Sequence, residues 1–77
     1  MRIEGVREKM SEWLWSGPLA VKVVVEAVYP RDDPSEPCFE PDVVRFLSDV
    51  QERASAGDIE WLKTVGDVYV LAHSHGA

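Results

Sequence analysis

Cysteine is scarce in this sequence, since Cys38 is the single one among 77 residues. An intramolecular disulfide is therefore excluded, although small secreted domains usually depend on several. The first residues carry charges where a secretory signal needs a continuous apolar stretch. The longest apolar run, Leu19 to Tyr29, is interrupted by Lys22 and Glu26 and falls short of the roughly 20 residues that cross a bilayer. We therefore expect a cytoplasmic protein that does not span a membrane.

Basic residues are also few. Eight lysines and arginines stand against 14 aspartates and glutamates, which gives a net charge of −6. Nucleic-acid backbones attract clusters of lysine and arginine, and no such cluster is present, so direct nucleic-acid binding is disfavoured. The sequence has no glycine-rich phosphate-binding loop either. A net negative charge keeps a small protein in solution and favours a basic protein as a partner.

What the sequence does contain is enough apolar material for a folded core. Hydrophobic residues make up 45% and charged residues 29% of the chain, which is too apolar for intrinsic disorder. Seventy-seven residues leave room for one core, so residues 1–77 are predicted to form a single small domain.

Two segments come before the first proline-rich loop. Apolar residues recur at helical spacing near the N-terminus, and they predict an amphipathic helix over 3–15 that Gly17-Pro18 ends; they are Ile3, Val6, Met10, Trp13 and Leu14. The alternating, β-branched segment Leu19–Tyr29 predicts a strand with one buried face. Four prolines in the segment from Pro30 to Pro41, both included, then predict an extended surface loop.

The second half of the chain is well punctuated. Pro41 and Asp42 suit the first turn of a helix, which Gly57 ends. Asp58 is placed to cap a short helix, Ile59 to Val65. A second strand, Asp67 to Ala72, follows, and residues 73–77 are predicted to be a flexible tail. The predicted fold class is α+β in the order α-β-α-α-β, with helices on one face of a sheet of two strands.

Candidate metal ligands are His73, His75 and Cys38. The two histidines are two residues apart on an extended tail, and imidazole is a common ligand of zinc and copper. Two ligands do not make a site, and a lone cysteine without a base is more often passive. We therefore predict no catalytic residue, no resident metal and no cofactor.

Two strands alone make a marginal sheet, so a second copy is expected to complete it. The candidate interface residues are Trp15, Lys22, Val24 and Glu26. In an antiparallel pair of the long strands, Lys22 of one copy would lie beside Glu26 of the other. The sequence thus predicts a homodimer, with a four-stranded sheet across the two copies.

The predicted function is that of a small acidic protein-interaction or regulatory module without enzymatic activity. Large aromatic residues anchor interfaces as well as cores, and the chain has three tryptophans. The alternative is a metal- or ligand-dependent enzyme whose site is completed at a dimer interface.

Overall fold

The computed structural model describes residues 3–71 as a small α+β fold of five elements. In chain order they are β1 (Gly5–Ser16), β2 (Leu19–Pro30), α1 (Pro41–Ser55), α2 (Ile59–Leu62) and β3 (Asp67–Val70). The strands form one antiparallel sheet in the order β1-β2-β3. The predicted order α-β-α-α-β and the two-stranded sheet are therefore wrong, because the observed order is β-β-α-α-β. The tail predicted at 73–77 lies outside the described residues.

The helix predicted over 3–15 is wrong, because this segment is strand β1. It pairs with β2 along its whole length, from Gly5 opposite Pro30 to Ser16 opposite Leu19. The connection is a turn of two residues, Gly17 and Pro18. Gly17 has a φ of 54°, and a positive φ with glycine at the first central position is what a type II′ hairpin turn requires. Gly17-Pro18 thus joins two strands and does not end a helix.

The segment predicted as the first strand is confirmed as β2, which is the central strand. Strand β1 occupies one side of β2 completely. On the other side β3 pairs with Leu19 to Lys22, and Cys38 forms an isolated bridge with Val28. Between these contacts, too little of the β2 edge remains for a second β2 to pair with it along its length.

Helix α1 begins and ends close to where the sequence predicts. Pro41 occupies the first turn with Asp42, and Gly57 follows the helix with a φ of 73°. Its buried residues Val50 and Ala54 pack with Leu62 of α2 against one face of β2. The β2 residues of this core are Val21, Val23 and Val25. Phe46 and Leu47 of α1 are partly buried and pack against it.

Helix α2 is shorter than predicted and is capped as predicted. Asp58 Oδ1 accepts a hydrogen bond from the backbone N–H of Trp61 at 3.3 Å. Arg53 Nη1 lies 2.7 Å from Asp58 Oδ2. Both hydrogen bonds lower the pKa of the Asp58 carboxyl, and the bond from Arg53 has the larger effect. Within residues 3–71, neither helix has the length and apolar character needed to cross a bilayer.

Candidate functional site

The sheet has two faces of different character. Side chains alternate along each strand, so the register assigns every strand residue to one face. The inner face carries Met10, Val25 and Val68, which all pack with the helices. The opposite, outer face carries Trp13, Trp15, Lys22, Val24, Glu26 and Tyr69. The core cluster that includes both helices draws its strand residues from the inner face.

Three aromatic side chains form a contiguous patch on the outer face. The rings of Trp13 and Trp15 stack with centroids 5.9 Å apart and an angle of 24° between their planes. The Tyr69 ring lies 5.5 Å from that of Trp13. These side chains keep 47% (Trp13), 55% (Trp15) and 47% (Tyr69) of their surface exposed. We call these three residues the aromatic patch.

The register explains how the chain builds the aromatic patch. Trp13 and Trp15 are two residues apart on β1 and therefore project from the same face. Trp15 and Tyr69 lie on opposite sides of Ala20, which is the β2 partner of both. Ala20 is almost completely buried. A small residue in the central strand thus leaves room for the rings on either side of it.

Charges of both signs surround the aromatic patch. Lys22 lies between Trp13 and Asp67 in the register. Further along the outer face, Arg7 Nη1 lies 2.9 Å from Glu26 Oε1 and 2.7 Å from Glu40 Oε1. The hydrogen bond to Glu40 raises the pKa of the Arg7 guanidinium above its ordinary value, and the hydrogen bond to Glu26 raises it by a smaller amount. Arg7 is thus committed to an ion-pair cluster, which we call the Arg7 cluster.

The Arg7 cluster has the contacts of a structural anchor. Glu40 is buried at the end of the loop before α1, and its Oε2 accepts hydrogen bonds from the Ile3 N–H at 2.6 Å and Arg7 Nη2 at 2.7 Å. It therefore ties the start of the chain to the start of α1. Within residues 3–71, no buried side-chain oxygen or nitrogen lacks a hydrogen-bond partner.

We expect Arg7→Met to melt at a lower temperature than the double variant Arg7→Met/Glu40→Gln. The single change leaves a buried carboxylate without its cation, whereas the double change removes both charges and keeps an acceptor for the Ile3 N–H. Thermal unfolding monitored by circular dichroism at pH 7 gives the melting temperatures of the two variants. A single variant as stable as the double one would contradict this role for Glu40.

The four candidate interface residues all lie on the outer face. Trp15 belongs to the aromatic patch, and Val24 is exposed on β2. Glu26 is paired with Arg7, and Lys22 is opposite Trp13. Trp13 and Tyr69 were not predicted for this surface. The two-residue spacing of Trp13 and Trp15 is the signal that places both on one face, once the segment is taken as a strand.

The metal candidates are not brought together among the described residues. Cys38 is exposed and lies before α1, where its backbone forms an isolated β-bridge with that of Val28. His73 and His75 lie outside residues 3–71. Within that range, no group of three or more histidine, cysteine, aspartate or glutamate side chains is placed to hold a metal ion.

A depression of about 470 Å³ lies on the helical side of the molecule, beside α1 and α2. Its lining includes Arg53 and Trp61, and the Arg53 guanidinium lies 4.9 Å from the centroid of the Trp61 ring. Because Arg53 also pairs with Asp58, its charge is already engaged by the cap of α2.

Comparisons with protein-family models, with curated proteins and with solved structures found no match for this chain.

Proposed function

We propose that the chain is a protein-interaction module that binds its partner with the outer face of the sheet. The observation that carries this proposal is the aromatic patch, in which three large rings stay about half exposed beside one another. Tryptophan and tyrosine are the residues most enriched among those that dominate the binding energy of protein interfaces. Their large rigid rings bury much surface at a low cost in conformational entropy.

The surroundings of the aromatic patch favour a protein over a nucleic acid. Stacked rings also bind unpaired bases, but such surfaces combine the rings with a positively charged groove for the backbone. Here Lys22 has Asp67 as its cross-strand neighbour, and Arg7 is paired with two glutamates. The chain as a whole carries a net charge of −6. An apolar patch bordered by balanced charges is typical of a protein interface.

The test uses two neighbouring exposed residues of β3 that face opposite sides of the sheet. Tyr69 belongs to the aromatic patch, whereas Val70 projects from the other face and is 63% exposed. We expect Tyr69→Ser and Trp13→Ser to lose at least tenfold in affinity for the partner, because each removes a ring of the patch. Val70→Ser is expected to bind as the wild type does.

The measurement starts with capture of proteins from the source cells on immobilised wild type and on each variant, quantified by mass spectrometry. The partner is a protein retained by the wild type and by Val70→Ser and depleted on Tyr69→Ser and Trp13→Ser. Its purified form is then titrated by calorimetry. If no protein shows this pattern, or if Val70→Ser loses the same proteins, the outer face is not the binding surface.

A further inference from the structure

Strand β1 has one unpaired edge. It is one of the two edge strands of the sheet, with β3 at the other edge, and among residues 3–71 no other strand pairs with its second side. The backbone groups of Val28 bond to Cys38, away from β1, with distances of 2.8 and 2.7 Å. Its β1 neighbour Arg7 therefore also directs its N–H and C=O away from β2. By alternation, the same holds for Lys9, Ser11, Trp13 and Trp15, of which the Trp15 carbonyl accepts a hydrogen bond from Gln51 Nε2 of α1.

The charges of β1 distinguish between the ways in which a second β1 can pair with this edge. Antiparallel pairing centred on Met10 places Glu8 opposite Glu12 of the second copy, so two carboxylates meet. Pairing centred on Lys9 or on Glu12 places that residue opposite the same residue of the second copy, so like charges meet again. Centring on Ser11 brings no like charges together. On the outer face, that register places Lys9 opposite Trp13 of the second copy, a pairing of a cation with an aromatic ring. Registers centred beyond Glu12 shorten the overlap.

Helix α1 has an uncharged flank on the side of this edge. At 100° per residue, Val44, Ser48, Gln51 and Ser55 fall within an arc of about 60°. Gln51 Nε2 donates to the Trp15 carbonyl at 3.0 Å, and Ser16 Oγ donates to Ser55 Oγ at 3.5 Å, so the flank lies beside β1. Val44 is 53% exposed. The charged residues of the helix occupy a different sector; they are Asp42, Arg45, Asp49, Glu52 and Arg53.

We infer that two copies of the chain associate through their β1 strands, antiparallel and centred on Ser11, to form one six-stranded sheet. A twofold axis through Ser11 brings the two uncharged flanks together on the inner side, with Val44 buried there. The unpaired edge and the uncharged flank are separate features, and both point to the same side of the molecule. This inference does not rest on the proposed function. The second copy would lie beside Trp13 and Trp15, whereas Tyr69 on β3 is away from the seam and tests partner binding separately.

The dimer is tested by sedimentation equilibrium of the full chain between about 1 and 100 µM, a range chosen around ordinary weak to moderate affinities. The mass is expected to rise from 8.7 kDa towards twice that value. Ser11→Pro removes the outward N–H at the centre of the seam, and Val44→Glu places two carboxylates in it. Each is expected to weaken dimerisation at least tenfold.

Two controls keep the result interpretable. Proline is accepted in an edge strand where the N–H faces solvent, so circular dichroism of Ser11→Pro should match that of the wild type. Val70→Glu adds the same charge on β3, at the opposite edge, and should dimerise normally. A wild type that stays at 8.7 kDa overturns the inference. A dimer that Ser11→Pro and Val44→Glu leave intact also overturns it. Binding of a partner through the aromatic patch is measured separately, with Tyr69→Ser.

Discussion

Leu62→Ala is expected to lower the free energy of unfolding by about 2–5 kcal/mol, the usual cost of removing a fully buried leucine side chain. Leu62 has no exposed surface and joins α2 to Val50 and Ala54 of α1 and to the valines of β2. A domain of this size has a total stability of roughly 4–12 kcal/mol, at about 0.05–0.15 kcal/mol per residue. The variant should therefore be partly unfolded at moderate temperature.

Urea denaturation followed by tryptophan fluorescence measures the loss, with Leu71→Ala as the matched control. Leu71 is about half exposed, and its backbone N–H, which bonds to the Pro18 carbonyl, is kept in the variant. The control should change the free energy of unfolding by only about 0.5 kcal/mol, as surface substitutions usually do. Equal midpoints for the two variants would mean that Leu62 is not a core residue.

Gly66→Ala is expected to cost about 3 kcal/mol, at the upper end for overpacking a core. A Cβ at this position would collide with the backbone carbonyl of Lys22 and approach Val23 Cγ1 to 2.9 Å. A flexible side chain can move away from an added methyl group, but the carbonyl of a central strand cannot move without disturbing the ladder. Gly66 thus allows the chain to pass close to β2 as it enters β3.

The control for this change is Gly57→Ala. Gly57 has no atom within 4 Å of an added Cβ, but its φ of 73° makes alanine cost about 1–2 kcal/mol. Chemical denaturation of both variants separates collision from backbone strain. A Gly66→Ala variant no less stable than Gly57→Ala would show that the close approach to β2 is easily relieved.

The parts of the fold that local signals specify could be predicted from the sequence. Pro41 and Asp42 suit a helix start, Gly57 suits a helix end, and Asp58 suits a cap, because each acts on neighbouring backbone groups. The alternation of β-branched residues in β2 is equally local. These elements were therefore predicted near their observed bounds.

The first strand could not be predicted in the same way, because its apolar residues fit two periods. Met10 and Leu14 are four apart, which suits one face of a helix and also one face of a strand. What decides between them is a long-range fact: β2 lies beside β1 and offers every backbone partner. The free energy of that pairing overrides the helical spacing of Ile3 and Val6.

The sequence predicts only part of the candidate surface, because the position of β1 beside β2 depends on long-range pairing. Trp15, Lys22, Val24 and Glu26 share the outer face, although β1 lies along one edge of β2 and β3 and Cys38 pair with part of the other. Trp13 shares the apolar stripe of the predicted helix with Met10 and Leu14, whereas in a strand it projects from the face opposite to theirs. Tyr69 reaches the aromatic patch through β3, whose position beside Ala20 depends on the whole chain.

The brevity of β3 has a consequence for how the molecule opens and closes. Strands β1 and β2 are joined by a two-residue turn and pair locally, so this hairpin can form within microseconds. Strand β3 pairs through four residues and must wait for both helices to close a long loop. It is therefore among the first segments to exchange its amide hydrogens. Tyr69 leaves with it, so a ligand that needs the tyrosine ring holds β3 in place and slows that exchange.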